Sequence, residues 1–256
     1  MLVQIDYELR FDAPFHLGTG VTAGQIDRTV IRDAGGYLYV PASTFKGVLR
    51  EHCEQLCRFY LPDIQIASPH DAYAALAQFG KAPSLITRIF GSPLFPGGLR
   101  FDDAVFDERE KKKYEDWKAY KEWKDMQTSV ATQVRIDRVT HTAANEALYT
   151  SEFGTRDHVF LGKIKGSLDC TPVDILRAAQ SDEMNMPTPT YSLLVLLAGL
   201  LMLERLGGNK STGKGQCRCT ITGLWLEGKI CTEQWPSWIE QLDDALNTYP
   251  DEGGNA

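Results

Sequence analysis

The chain reads as an α+β protein: an antiparallel sheet with helices on one face, of the ferredoxin-like kind, interrupted by long inserted loops. Three observations predict this. Val3, Ile5, Tyr7 and Leu9 alternate with polar residues, the period of a half-buried strand. Ser43 to Tyr60 carries apolar residues at helical spacing, and Thr190 to Leu206 is apolar nearly all round, as a buried helix would be. Further strand-like runs at His158–Cys170 and Gln216–Leu226 then complete an alternation of strands and helices.

In order, the first strand is followed by a glycine-containing loop over residues 12–36, a length that in compact domains usually marks function or disorder. Tyr37–Pro41 is a short strand entering the first helix, for which Ser43 is the expected N-cap. Lys46 and Arg50 lie four apart on one face of its first turns, where the helix dipole also favours anions; solvated surface bases have the same pattern. Asp71–Phe79 reads as a short helix. Arg109–Lys124 reads as an exposed mixed-charge helix with one aromatic stripe, Tyr114, Trp117 and Tyr120. Arg135 to Glu152 is weakly periodic and reads as an extended arm. In His158–Cys170, Phe160, Ile164 and Leu168 face one way and Lys163, Lys165 and Ser167 the other, a face that suits either solvent or nucleic acid. An amphipathic helix from Trp235 and an acidic tail close the chain. Residues 1–226 are read as one domain with inserts at roughly 61–134 and 135–158, and 227–256 as a C-terminal helix and tail.

The densest chemistry lies in Leu206–Gln216, with four glycines, two lysines and two hydroxyls. Glycine admits a ligand close to the backbone, and Lys210, Lys214 and Ser211 add charge and donors, a combination suited to phosphate. Gly208–Lys214 matches the first seven positions of a P-loop, but Gly215 stands where Ser or Thr should hold Mg²⁺. The context is also reversed, since this loop leaves a helix and enters a strand. A glycine helix cap with Gly207 in the left-handed region is the plain alternative.

Charge and cysteines set bounds. The net charge of −7 argues against indiscriminate nucleic-acid binding, yet residues 227–256 hold seven acids and one base, so all but one unit of the excess is C-terminal. Six cysteines form no C-x-x-C pair, so zinc is not expected, although His52 beside Cys53 and Cys57 keeps a site conceivable. Met1–Arg10 lacks a signal-peptide core and Leu193–Leu203 is too short to span a bilayer, so a cytoplasmic protein without a membrane partner is expected.

Six blocks in order carry a resemblance: His16-Leu-Gly18-Thr-Gly20, Ile26–Asp33, Val40–Arg50, Ile89–Pro93, Arg135–Arg138 and Gly207–Gly215. Together they resemble the RAMP superfamily, specifically the backbone subunit of type III CRISPR effector complexes, over roughly Val3 to Leu226. The resemblance implies an RNA-recognition-type (ferredoxin-like) domain with an arm, or thumb, insertion that intrudes between segments of a guide–target duplex. It implies as partners a guide RNA, a target RNA, other effector subunits and further copies of the chain. His16, Gly18, Ser43, Lys46, Arg50, Gly208, Lys210, Ser211, Gly213 and Lys214 match guide-contacting positions, and Arg135 and Arg138 belong to the arm. Asp27 occupies the family's catalytic place for cutting target RNA, with Arg28 and Thr29 where a small residue and proline are usual. RNA carries its own nucleophile, the 2′-OH, so one carboxylate, with Mg²⁺ as the implied divalent ion, suffices for an endoribonuclease. His16 is a competing acid–base or backbone-binding residue. A non-catalytic scaffold subunit and a guide-processing endoribonuclease are the alternatives.

Overall fold

The protein is described by a computed structural model that covers residues 1–62, 64, 66, 71, 73, 76, 83–169, 171–179 and 187–250. Its long elements follow one another as strand, helix, three strands, helix, strand. They are β1 (Leu2–Phe11), β2 (Tyr39–Val40), α1 (Ala42–Tyr60), α2 (Leu85–Phe90), β3 (Leu99–Phe101), β4 (Ala104–Phe106) and α3 (Glu108–Glu115). Then come β5 (Thr128–Ile136), β6 (Ala143–Gly154), β7 (Val159–Ser167), α4 (Asp174–Ala179), α5 (Tyr191–Leu201), β8 (Cys217–Leu226), β9 (Lys229–Ile230), α6 (Trp235–Glu240) and α7 (Leu242–Asn247). Among the described residues, seven strands make one sheet in the order β2-β4-β7-β1-β8-β9, with β3 also on β7; β5 and β6 pair separately. Every pairing between these strands is antiparallel.

β1 is the centre of this sheet because both its edges are taken, Leu2↔Ser167 to Arg10↔Val159 on β7 and Val3↔Leu226 to Phe11↔Cys217 on β8. Its alternation buries Val3, Ile5, Tyr7, Leu9 and Phe11 under α1 and α5. The Tyr7 ring stacks on Phe45 of α1 at 4.5 Å, an offset apolar contact worth about 1 kcal/mol beyond its area. α1 and α5 pack closely where Gly199 faces Cys53: a Cβ there would stand 2.5 Å from the Cys53 sulfur. The Thr190 hydroxyl accepts from the Leu193 amide, so α5 begins as the sequence suggests; it is buried from Tyr191 to Leu200 and ends at the exposed Leu201 rather than at Leu206.

Four expectations are corrected. Ser43 is not the cap of α1 but lies inside it; the helix starts at Ala42, whose N–H donates to the Asp103 carboxylate at 2.7 Å, a cap supplied from beside another strand. The mixed-charge helix stops at Glu115. Tyr114 and Trp123 are both buried with rings 6.4 Å apart, whereas nine residues of straight helix, at about 100° each, would put them on opposite faces. The chain breaks to bury both and leaves Trp117 and Tyr120 exposed. The C-terminal helix is likewise two, α6 and α7, which turn at Gln241 so that Trp238 and Leu246 reach the same core as α5. Finally, the arm is a hairpin from Thr128 to Gly154, so the expected division at 134/135 falls inside β5. The expected helix over Asp71–Phe79 lies largely outside the described residues.

On the other sheet face one of the expected lysines is not bare. Lys163 pairs with Asp6 at 3.1 Å, directly across the ladder. The cysteines are apolar packing: Cys53, Cys57, Cys217, Cys219 and Cys231 are buried free thiols, and burial pushes Cys57 and Cys217 up to about 12. Cys53 donates to the Val195 carbonyl, so it serves the α1–α5 contact as a thiol.

Candidate functional site

The loop after β1 is an ordered ladder. Phe15 exchanges both backbone bonds with Gly154 at the root of the arm, and a side chain at 154 would strike the Phe15 ring. Leu17–Thr19 then pairs with Thr29–Ile31, and the two threonine hydroxyls meet at 2.7 Å across it. The returning segment lies against β6: the amides of Asp27 and Arg28 both donate to the Thr150 carbonyl, at 2.9 and 3.2 Å, and the Glu152 amide donates to the Arg28 carbonyl. The arm and the loop are therefore one hydrogen-bonded unit.

A buried carboxylate locks that unit. Glu152 accepts from the Val30 amide, from both terminal nitrogens of Arg32, and from the Thr128 hydroxyl. Burial alone would raise its pKa; the Arg32 guanidinium and the Val30 amide more than offset this and hold it below the usual carboxylate range.

Within the loop opens a cleft of about 510 Å³ lined by His16, Gly18, Gly20, Val21, Asp27, Arg28 and Thr29. Three of the residues expected from the sequence, His16, Gly18 and Asp27, thus meet. His16 Nδ1 lies 2.7 Å from the Glu152 carbonyl, which can only accept, so Nδ1 carries the proton and Nε2 is the acceptor of the neutral ring. Nε2 faces Gly18, where a Cβ would come within 2.7 Å. Asp27 is exposed; its Oδ2 accepts from the Thr150 amide at 2.7 Å, and its Oδ1 has no partner among the described residues.

The glycine loop abuts this cleft through His16. Gly207 has φ +91°, and a Cβ there would lie 2.4 Å from the His16 carbonyl, which accepts from the Gly208 amide. Lys214 Nζ sits 5.1 Å from the centre of the Phe153 ring, against which His16 also packs edge-on. The expectation of a backbone phosphate cradle is narrowed here. The amides of Gly208, Thr212, Gly213, Lys214 and Gly215 already donate to protein carbonyls, because the glycines fold the loop onto itself and onto Pro14 and His16. Besides its remaining amides, the loop offers side chains: Lys210 and Ser211 on a short 3₁₀ turn, and Lys214.

Other expected residues lie elsewhere. Ser43, Lys46 and Arg50 do not line the cleft. Lys46 lies over the Phe101 ring, its pKa lowered first by burial and then by Arg50. Arg50 is drawn inside, donating to the Gly91 carbonyl and pairing with Glu54, so no solvent-facing pair with Lys46 forms. Arg135 and Arg138 stand exposed towards the far end of the arm. Reading the sequence missed Arg32, Thr128 and Glu152, which are ordinary polar residues until the fold joins them over separations as long as 120 residues. It noted Arg28 only as a departure; the guanidinium stacks over Tyr149 of β6 at 4.8 Å.

Among known families, the model for the RAMP superfamily matches residues 8–218, most of the chain. The chain belongs to the RAMP superfamily. That extent takes in the cleft, the arm and the glycine loop. No curated protein matches the chain. Among solved structures it is similar to a chain of the type III-B Cmr-beta complex in its apo state, with a TM-score of 0.52 at 12 % identity, over 86 % of this chain and 97 % of that one. A chain of the Cmr-beta complex bound to cognate target RNA gives 0.49 at 13 %, over 84 % and 96 %. At such identity the first likeness speaks for the fold alone: mixed α+β with antiparallel sheets.

Proposed function

We propose that this protein is a guide-RNA-binding backbone subunit of a type III CRISPR ribonucleoprotein, and that it cleaves complementary target RNA with Asp27 as the base. Superfamily membership and the fold likeness to a type III-B complex support the first half. One observation carries the second. Asp27 is fixed by backbone bonds to the arm yet keeps a carboxylate oxygen without a partner among the described residues, in the cleft it shares with His16. Lys210, Ser211 and Lys214 beside that cleft supply sequence-independent contacts to an RNA backbone. The partners are then a guide, a target, other effector subunits and neighbouring copies, and the setting is the cytoplasm; no helix among the described residues is long and apolar enough to cross a membrane.

The chemistry needs little from the protein. A target 2′-OH gives its proton to Asp27 as its oxygen attacks the adjacent phosphorus. The P–O5′ bond breaks, and O5′ takes a proton from water. The products are a 2′,3′-cyclic phosphate and a 5′-hydroxyl, and Asp27 returns its proton to solvent. His16, with Nδ1 held by Glu152, presents Nε2 as a fixed hydrogen-bond partner for RNA. Among the described residues no cluster of three or more His, Cys, Asp or Glu is placed to hold a metal. Asp27 alone therefore fits Mg²⁺ only where RNA phosphate oxygens and water complete the shell, the usual arrangement beside nucleotides. When bound there, the ion supplies charge stabilisation at the phosphate.

The bond from the Thr150 amide to Asp27 favours a second reading, in which the aspartate only clamps the loop to the arm of a non-catalytic scaffold. The two are separated by incubating labelled guide-complementary RNA with the assembled complex. Spaced cuts ending in cyclic phosphate support the enzyme; intact RNA that stays bound supports the scaffold.

A further inference from the structure

Arg28 stands next to Asp27 on the same cleft wall, and its surroundings set it apart. Its backbone is pinned on both sides, with the amide on the Thr150 carbonyl and the carbonyl on the Glu152 amide. Its guanidinium lies over the Tyr149 ring, 4.8 Å from the ring centre. Yet no carboxylate pairs with it among the described residues, and none of its side-chain donors meets a protein acceptor there. Arg32, four residues on, shows the contrast: it is spent on Glu152. A guanidinium is always charged and presents a planar fork of donors matched to phosphate oxygens, and an aromatic face restrains it without consuming those donors.

We infer that Arg28 is a further catalytic residue: it grips the non-bridging oxygens of the scissile phosphate, with Tyr149 as the positioning residue that aims it. This rests on the cleavage reading above and adds to it the group that meets the charge. As the 2′-oxygen attacks and the bond to O5′ lengthens, negative charge grows on those two oxygens. Arg28 donates to them throughout and gives up no proton. The tether to Tyr149 places the clamp on the arm itself, so the cut falls where the arm meets the target strand.

The test uses the assembled complex with saturating target under single-turnover conditions, comparing wild type with Arg28→Ala, Arg28→Lys, Tyr149→Leu and the double variant Arg28→Ala/Tyr149→Leu. Arg28→Ala slows cutting roughly 10²-fold, the usual loss for one charge-stabilising donor, while target affinity holds. Arg28→Lys recovers part of the rate, since it keeps charge but not the fork. Tyr149→Leu loses less than Arg28→Ala, and the double variant loses no more than Arg28→Ala alone. Free guanidinium ion restores cutting by Arg28→Ala, and sodium at equal ionic strength does not. Wild-type cutting by Arg28→Ala overturns the inference; so does a loss that guanidinium fails to rescue, or one matched by an equal loss of target binding. Asp27→Asn run in parallel reports on the parent reading separately: if it cuts normally while Arg28→Ala does not, the base is wrong and the clamp stands.

Discussion

Glu152 and Gly207 do their work without touching a substrate. Glu152 is buried with Arg32 as partner, and removing one member of such a pair costs more than the pair contributes, because the other charge is left stranded. Glu152→Ala is expected to lower unfolding stability by about 3 kcal/mol, read from denaturant curves of the purified subunit. The sign of its pH dependence follows from its depressed pKa. The contribution is complete above the unfolded value of 4.5 and is lost as pH falls through the lower folded value. Melting temperature should therefore drop between neutral pH and acid more steeply in wild type than in Glu152→Gln. Gly207 is held at φ +91° against the His16 carbonyl, so Gly207→Ala combines backbone strain with a steric clash. A loss of roughly 1–3 kcal/mol is expected by the same assay, with weakened guide binding because His16 and the lysine loop separate. Of these two residues only the glycine was legible beforehand. A run of glycines announces close backbone approach, but it does not say that the neighbour is His16 of the same chain.

At the scale of elements, the glycine loop shows why composition predicted a ligand and geometry narrowed it. Five of its amides are taken by protein carbonyls, so under the proposed function Lys210, Ser211 and Lys214 are the side chains that contact RNA. Lysine contacts to phosphate release counterions. Lys210→Ala and Lys214→Ala should each reduce the slope of log affinity against log salt by about 0.7, measured by titrating single-stranded guide RNA at several ionic strengths. An unchanged slope would place that lysine off the RNA. The arm shows the opposite case. Its sequence is weakly periodic because the hairpin leaves Val130, Val134, Ile136 and Leu148 exposed, so neither face carries the buried stripe that periodicity detects. β1 and α5 were legible for the converse reason, one burying alternate residues and the other every side. The cap of α1 was not: Asp103 comes from 61 residues away, and the local candidate, Ser43, was the one that propensity could see.

For the whole molecule, the sheet is a platform from which two distant chain segments, the loop after β1 and the root of the arm, are joined by backbone hydrogen bonds. A net charge of −7 is compatible with the proposed RNA binding because the excess acid is C-terminal, and Arg28, Lys210 and Lys214 lie by the cleft or on the loop beside it. The central claim is that Asp27 acts as a base and is more than a clamp. Asp27→Asn separates the two, since an amide oxygen still accepts from the Thr150 amide but takes no proton at neutral pH. The decisive measurement is single-turnover cleavage of guide-complementary RNA by assembled complexes, wild type against Asp27→Asn, with target affinity measured alongside. Cuts abolished with affinity unchanged is the predicted result. Cutting at the wild-type rate by Asp27→Asn would contradict it and leave the aspartate a structural residue of a scaffold.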